Sequence, residues 1–260
     1  FVPNDALNFT AKGGSITMKI KQASQDRIEI IGLPGTVEYS DAFPLEAIGG
    51  SGSGVFEWKS DNENITVTAD ENDSSKAEVK INGAVGEKVT ITAVKTDDGN
   101  YSKSETKIAF VPSGKTLGFV ISDLLKEYDG SAQQPTVETV PAGGDYTVKY
   151  NGSDEIPANA GTYTVTVSGS GNYRGSGSAT MIVKKGSLEN KNLSVSLDNW
   201  VYKAETLPEP KVSSAPGGTD VKISYSTPGG ERPVNAGTYT VYASYSGENY
   251  ETFTAKHEFT

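Results

Sequence analysis

Side chains able to do chemistry are few and scattered in this sequence. His257 is the single histidine and cysteine is absent, so a serine triad, a thiol nucleophile and a histidine- or sulfur-ligated metal site all lack a complete set of parts. Neither a G-x-S-x-G elbow nor a phosphate loop occurs. Carboxylates are plentiful, with 33 Asp and Glu, and two of them could flank a sugar. A glycosidase also needs a cleft to hold that sugar, which a small β module rarely supplies. Asp61-Asn62-Glu63-Asn64 and Asp70-Glu71-Asn72-Asp73 make two acidic loops around Ile65-Thr66-Val67-Thr68, but their spacing fits no calcium-loop pattern. The sequence therefore predicts no catalytic residue, no metal ligand set, no cofactor and no enzyme. His257, on the expected final strand, is read as solvent-facing.

The elements that would position any site are strands. Val89-Thr90-Ile91-Thr92-Ala93-Val94 and Tyr163-Thr164-Val165-Thr166-Val167 alternate apolar and Thr residues, the period of half-buried β-strands. Clusters such as Gly49-Gly50-Ser51-Gly52-Ser53-Gly54 and Pro141-Ala142-Gly143-Gly144-Asp145 separate them, as in an all-β sandwich. Only Ile121-Ser122-Asp123-Leu124-Leu125-Lys126-Glu127 reads as a helical turn.

The string Asn159-Ala160-Gly161-Thr162-Tyr163-Thr164-Val165 recurs as Asn235-Ala236-Gly237-Thr238-Tyr239-Thr240-Val241, the signature of a repeat architecture. The alignment brings Tyr128 onto Tyr202, Pro135 onto Pro210, Tyr150 onto Tyr225 and Asn172-Tyr173 onto Asn249-Tyr250. Residues 113–185 and 186–260 are thus sister modules. Residues 26–112 end with Asp98-Gly99-Asn100-Tyr101, a third Asn-Tyr corner, and read as a diverged relative. Residues 1–25, with Gly14-Ser15-Ile16-Thr17-Met18-Lys19-Ile20, read as the closing strand of a truncated preceding module. The connections around Ser113-Gly114 and Gly186-Ser187 are too short for flexible linkers, which predicts small sandwiches arranged end to end.

Net charge is −10. Residues 26–112 hold 8 basic and 16 acidic side chains, and no basic face exists to neutralise phosphates. Nucleic-acid and anionic-membrane binding are excluded on that ground. The sequence has no run of 18 apolar residues and no leader, so no direct membrane insertion is expected. Phe1-Val2-Pro3, with the first Met at 18, reads as a piece cut from a longer polypeptide.

Asn-x-Gly-x-Tyr-x-Val has the form of the tyrosine corner of immunoglobulin sandwiches, with Val165 and Val241 in the place of the second core cysteine. Gly would allow the tight turn into the strand, and a buried phenol would need a partner for its hydroxyl. On Tyr128-Asp129-Gly130 and both Asn-Ala-Gly-Thr-Tyr-Thr-Val strings, residues 113–185 and 186–260 resemble the MBG/YDG-type repeats of bacterial surface proteins; Tyr202-Lys203-Ala204 departs from that pattern. Residues 26–112 resemble a bacterial Ig-like domain through Gly32-Leu33-Pro34-Gly35, Val37-Glu38-Tyr39-Ser40-Asp41, Gly49-Gly50-Ser51-Gly52 and Asp97-Asp98-Gly99-Asn100-Tyr101. The resemblance implies an extracellular location, on a bacterial surface or secreted. It names no ligand, because such repeats occur in adhesins, wall proteins and secreted carbohydrate-active enzymes alike.

Aromatic residues sharpen the reading, since each sister module is a control for the other. Trp58 falls where an Ig sandwich places its strand-C core tryptophan and is assigned to packing. Trp200 aligns with Lys126, and Tyr242 aligns with Thr166 on the threonine face, so both are expected to be exposed. They are the candidate ligand-binding residues, able to stack on a sugar or anchor a protein. The function expected is a monomeric, non-catalytic stalk or adhesin segment that spaces or presents a binding or catalytic unit. The alternative is a module that binds host or cell-wall glycans or glycoproteins, accessory to a secreted carbohydrate-active enzyme.

Overall fold

A computed structural model describes residues 13–203 and 206–260 and divides the chain into two compact units, one ending at Lys115 and the other beginning at Thr116. The fold is all-β. Among the described residues a single 3-10 turn, Pro228–Gly230, interrupts the strands, and no helix is long and apolar enough to cross a membrane.

In the first unit, β1 (Ile28–Ile31), β2 (Ala42–Gly49), β4 (Ile65–Ala69) and β5 (Lys76–Ile81) form one antiparallel sheet in the order β1-β2-β5-β4. β3 (Phe56–Ser60), β6 (Val89–Lys95) and β7 (Ser104–Phe110) form a second, with β6 in the centre. Leu45, Val79, Ile81, Val89 and Ile91 are buried between them, each sheet contributing alternate side chains as a sandwich requires. β6 is more deeply buried than its alternation implies at Thr92, which is buried on the other face, while Lys95 continues the Val89, Ile91, Ala93 face and is buried with its ammonium 4.7 Å from the centre of the Phe56 ring. Trp58 packs on this core while its indole N–H donates to the Ser74 carbonyl at 2.9 Å, in keeping with the packing role its position implied. Of the segment 1–25, residues 13–25 form no strand beyond a single bridge at Ala23, and Ile16, Met18 and Ile20 are exposed; residues 1–12 lie outside the described residues.

The second unit contains both repeats. After β8 (Lys115–Thr116) at the boundary, the first repeat has β9 (Gly118–Ser122), β10 (Leu125–Glu127), β11 (Thr136–Val140), β12 (Tyr146–Tyr150), β13 (Gly161–Gly169), β14 (Tyr173–Arg174) and β15 (Ser176–Lys184). One sheet runs β10-β15-β13-β12 and a two-stranded sheet pairs β11 with β9. Within the larger sheet β10 and β15 run parallel, Leu125 opposite Ile182 and Lys126 opposite Val183. Val165, Val167, Met181 and Val183 are buried, with Phe119, Ile121 and Val137 packed on them from the smaller sheet.

The second repeat keeps this plan with fewer paired residues. β16 (Val195–Ser196) and β17 (Lys211–Val212) pair, while β18 (Asp220–Tyr225), β19 (Tyr239–Gly247) and β20 (Tyr250–Phe259) form the larger sheet. Val241, Ala243 and Tyr245 are wholly buried. The Tyr245 hydroxyl donates to the Ser194 carbonyl at 2.8 Å, satisfying a phenol that burial would otherwise leave unpaired.

The helical turn expected over residues 121–127 does not form. Ser122 ends a strand paired to Thr136, Leu125 begins one paired to Ile182, and Asp123 turns the chain between them at φ 56°. Two sheet edges claim these backbone groups, and the tertiary pairing overrides the local Leu-Leu-Lys-Glu preference.

Candidate functional site

The duplicated heptapeptide builds a strand-entry corner in each repeat. The Tyr163 hydroxyl donates to the Asn159 carbonyl at 2.8 Å, and the Tyr239 hydroxyl donates to the Asn235 carbonyl at 3.1 Å. Both are the expected tyrosine-corner bond to the backbone just upstream, made by rings that are half-buried rather than buried. Gly161 and Gly237 serve this bond. A Cβ there would lie 3.2 Å and 3.1 Å from the hydroxyl oxygens of Tyr163 and Tyr239, so close approach of the ring, and not a left-handed turn, explains both glycines.

The first corner also receives the second repeat. Asn249, in the Asn249-Tyr250 corner, accepts from the Ala160 N–H through Oδ1 at 2.8 Å and donates from Nδ2 to Asn159 Oδ1 at 3.0 Å. The neighbouring Tyr250 ring meets Tyr128 edge-on, with centroids 5.2 Å apart and planes at 87°. The connection itself is held: Gly186 N–H donates to Asn249 O at 2.9 Å, Glu251 N–H donates to Gly186 O at 3.0 Å, and Lys185 Nζ donates to Gly247 O at 3.0 Å. Burial, followed by the Tyr128 phenol, pushes the Tyr250 hydroxyl above the ordinary tyrosine pKa.

The same bridge occurs once within the first unit. Ala23 N–H donates to Asn100 O at 2.8 Å and Ser102 N–H donates to Ala23 O at 2.8 Å. Ala23 and Tyr101 form a parallel bridge, as Gly186 and Tyr250 do. The corner is shaped by Asp98, whose carboxylate accepts the N–H groups of Asn100, Tyr101 and Ser53 and is held below the usual aspartate range by the Tyr101 and Ser53 bonds.

Trp200 and Tyr242 are not brought together. Trp200 N–H donates to Thr260 O at 2.8 Å, and its ring packs on the rim of the second repeat's core with the Lys203 ammonium 5.3 Å from it. The ring lines a cavity of about 400 Å³ with Tyr202, Leu207, Tyr239 and Phe259. Tyr242 alternates with the buried Val241 and Ala243 and points to the opposite face of β19, in register with Ser224 and Lys256. Both rings are half-buried rather than exposed. Lys126, the polar counterpart of Trp200, is itself only 18% exposed at its side chain and pairs with Asp123, because a lysine stem packs as an apolar surface.

His257 stands on β20 with Nε2 3.1 Å from the Leu197 carbonyl, a structural contact that fits its surface position. In the acidic loops, Asp61 Oδ1 accepts the Thr90 N–H at 2.7 Å, and Asp70 Oδ1 accepts the N–H groups of Asn72 and Asp73. The Ser75 hydroxyl and Lys76 lower Asp73 to about 2. These carboxylates organise turns, and among the described residues no group of three or more His, Cys, Asp or Glu converges to hold a metal.

Residues 119–187 and 200–259 match the family model of the MBG domain. These are MBG repeats. No curated protein matches the chain. Among solved structures, the endo-fucoidan hydrolase MfFcnA4 from glycoside hydrolase family 107 and a variant of it are similar at 11% identity and a TM-score of 0.24. Those matches cover 88% of this chain and 42% of theirs, so the chain spans less than half the length of those enzymes.

The residues joining the MBG repeats were visible in the sequence only as recurrences. Tyr128, Asn159 and the Asn249-Tyr250 corner all sit at aligned positions, but nothing in the alignment shows that the corner of one repeat meets the tyrosine and loop of the other.

Proposed function

We propose that this chain is a non-catalytic extracellular stalk or adhesin segment of a bacterial surface protein, in which a bacterial Ig-like domain and two MBG repeats space or present a binding or catalytic unit. The observation that carries the reading is the bonded connection at Gly186. Its backbone is paired to Asn249 and Glu251, and the Asn249 side chain bonds residues of the preceding repeat. Short, hydrogen-bonded connections suit a segment that transmits load, and the Lys, Asp and Thr-rich surfaces keep such a segment in solution. The test is single-molecule stretching of the full chain. Separate rupture events are expected, each MBG repeat releasing roughly 200–250 Å of chain by the reach of an extended backbone. Loss of all structure at forces too small to register would sink the reading.

A second reading, a module that binds glycans or glycoproteins, draws on the cavity beside Trp200 and on the Tyr242 face. Titration with cell-wall and host glycans tests it: binding abolished by Trp200→Ala or Tyr242→Ala supports it, and binding unchanged in both variants removes it.

A further inference from the structure

The two MBG repeats present the same face in two conditions. In the first, Tyr128, Asn159 and Ala160 are all engaged by the Asn249-Tyr250 corner, which leaves Tyr128 and Ala160 half-buried and Asn159 exposed. In the second, the equivalent Tyr202, Asn235 and Ala236 line the cavity beside Trp200, and Tyr202 is 63% exposed.

The equivalence is structural as well as sequential. Val165 stands opposite Ala179 and Val241 opposite His257, so Thr260 occupies the place of Ile182. In the first repeat the next residue, Val183, is buried against Gly161; the cavity lies beside Gly237, the counterpart of Gly161. The substitutions between the faces run toward apolar: Val201 replaces Glu127, Val234 replaces Ala158 and Trp200 replaces Lys126. Val201 and Val234 are 77% and 78% exposed. An exposed apolar patch of this kind marks a surface that another body covers.

We propose that the Trp200, Tyr202, Asn235 and Ala236 face is a seat for the Asn-Tyr corner of a further module of this type, whose entering strand runs on along Gly237. The corner's asparagine accepts from the Ala236 N–H and donates to Asn235, and its tyrosine packs edge-on against Tyr202. The occupant is chosen by its counterpart in this chain, where a corner of that composition fills the equivalent seat. The Ala23–Tyr101 bridge repeats the connecting half of the device at a third corner. The inference rests on the equivalence of the repeats and goes beyond the spacing role; it holds equally if the segment proves to bind a glycan elsewhere.

The test extends the full chain after Thr260 with a second copy of residues 183–260, which places Val183 of the copy beside Gly237. Amide exchange at Ala236 is then followed by NMR. Formation of the bond slows Ala236 exchange by about five- to tenfold, the effect of one added hydrogen bond in a locally opening segment. A second variant carrying Asn249→Ala in the appended copy alone keeps the module and removes the acceptor, and it returns Ala236 to the rate of the unextended chain. Equal exchange at Ala236 in all three chains overturns the proposal. So does a glycan that binds at Trp200 with the same affinity in the extended and unextended chains, because a seated corner would cover that ring.

Discussion

The two MBG repeats share a scaffold and differ at one end. In residues 119–187 the tyrosine-corner loop is engaged: Ala160 is half-buried with its N–H bonded to Asn249, while Asn159, bonded to the same side chain, stays exposed. In residues 200–259 the same loop lies open, with Asn235 and Ala236 exposed. The difference teaches that the repeated string has two duties. Its Tyr and Gly close a corner inside each repeat, and its Asn and Ala form a docking surface, satisfied only where a neighbour supplies an Asn-Tyr corner.

Changing that corner should produce the largest contrast. Tyr250→Ala removes the edge-on contact with Tyr128 and a ring packed on the second core, with an expected cost of about 2–3 kcal/mol. Tyr202→Ala, on the open face, is expected to cost less than about 0.5 kcal/mol. The slowest-exchanging amides of β19 report both, and equal losses would break the comparison. Asn249→Ala comes next at about 2 kcal/mol, from two bonds of ordinary strength; it should loosen Ala160 while leaving the Tyr163 bond in place. Tyr163→Phe and Tyr239→Phe each lose one corner hydroxyl, at about 1 kcal/mol. Similar values for the two, read from chemical denaturation of each single variant, would place the corner inside the repeat rather than at the junction. A marked excess at Tyr163 would couple the two duties.

The smallest effect is a pH dependence at the junction. Because the folded protein holds the Tyr250 phenol above its ordinary value, its neutral form is favoured by folding. That contribution is complete below the unfolded pKa of about 10 and is lost as pH rises through the folded value. Phenol absorbance should show Tyr250 titrating late together with Tyr150, which burial also raises, and Tyr128→Phe should move the Tyr250 component alone, part of the way back toward its ordinary value.

Much of the scaffold is written in residues that act locally. Val165, Val167, Val241 and Ala243 alternate with polar neighbours and are all buried, so period alone locates the core face. The tyrosine corner was legible for the same reason, since donor and acceptor lie four residues apart. Where distant segments decide, local reading fails. Residues 121–127 have helix-forming composition, but β11 and β15 lie on either side of Asp123 and take up the backbone. Trp200 looked exposed because Lys126 is polar, and the packed lysine stem was invisible in the residue type. The junction depends on Asn159 meeting Asn249, 90 residues away, and a single sequence carries no record of that meeting.

The parallel pairing of β10 with β15 has a mechanical consequence. These strands stand near the start and finish of the first MBG repeat and run in the same direction, so tension along the chain draws them past each other. Their bonds are then loaded together in shear instead of opening one at a time from an end like a zipper. Resistance to pulling is consequently set by a rupture rate rather than by equilibrium stability. A module of modest thermodynamic stability can thus hold firm under brief force, a property that follows from strand direction and needs no disulfide.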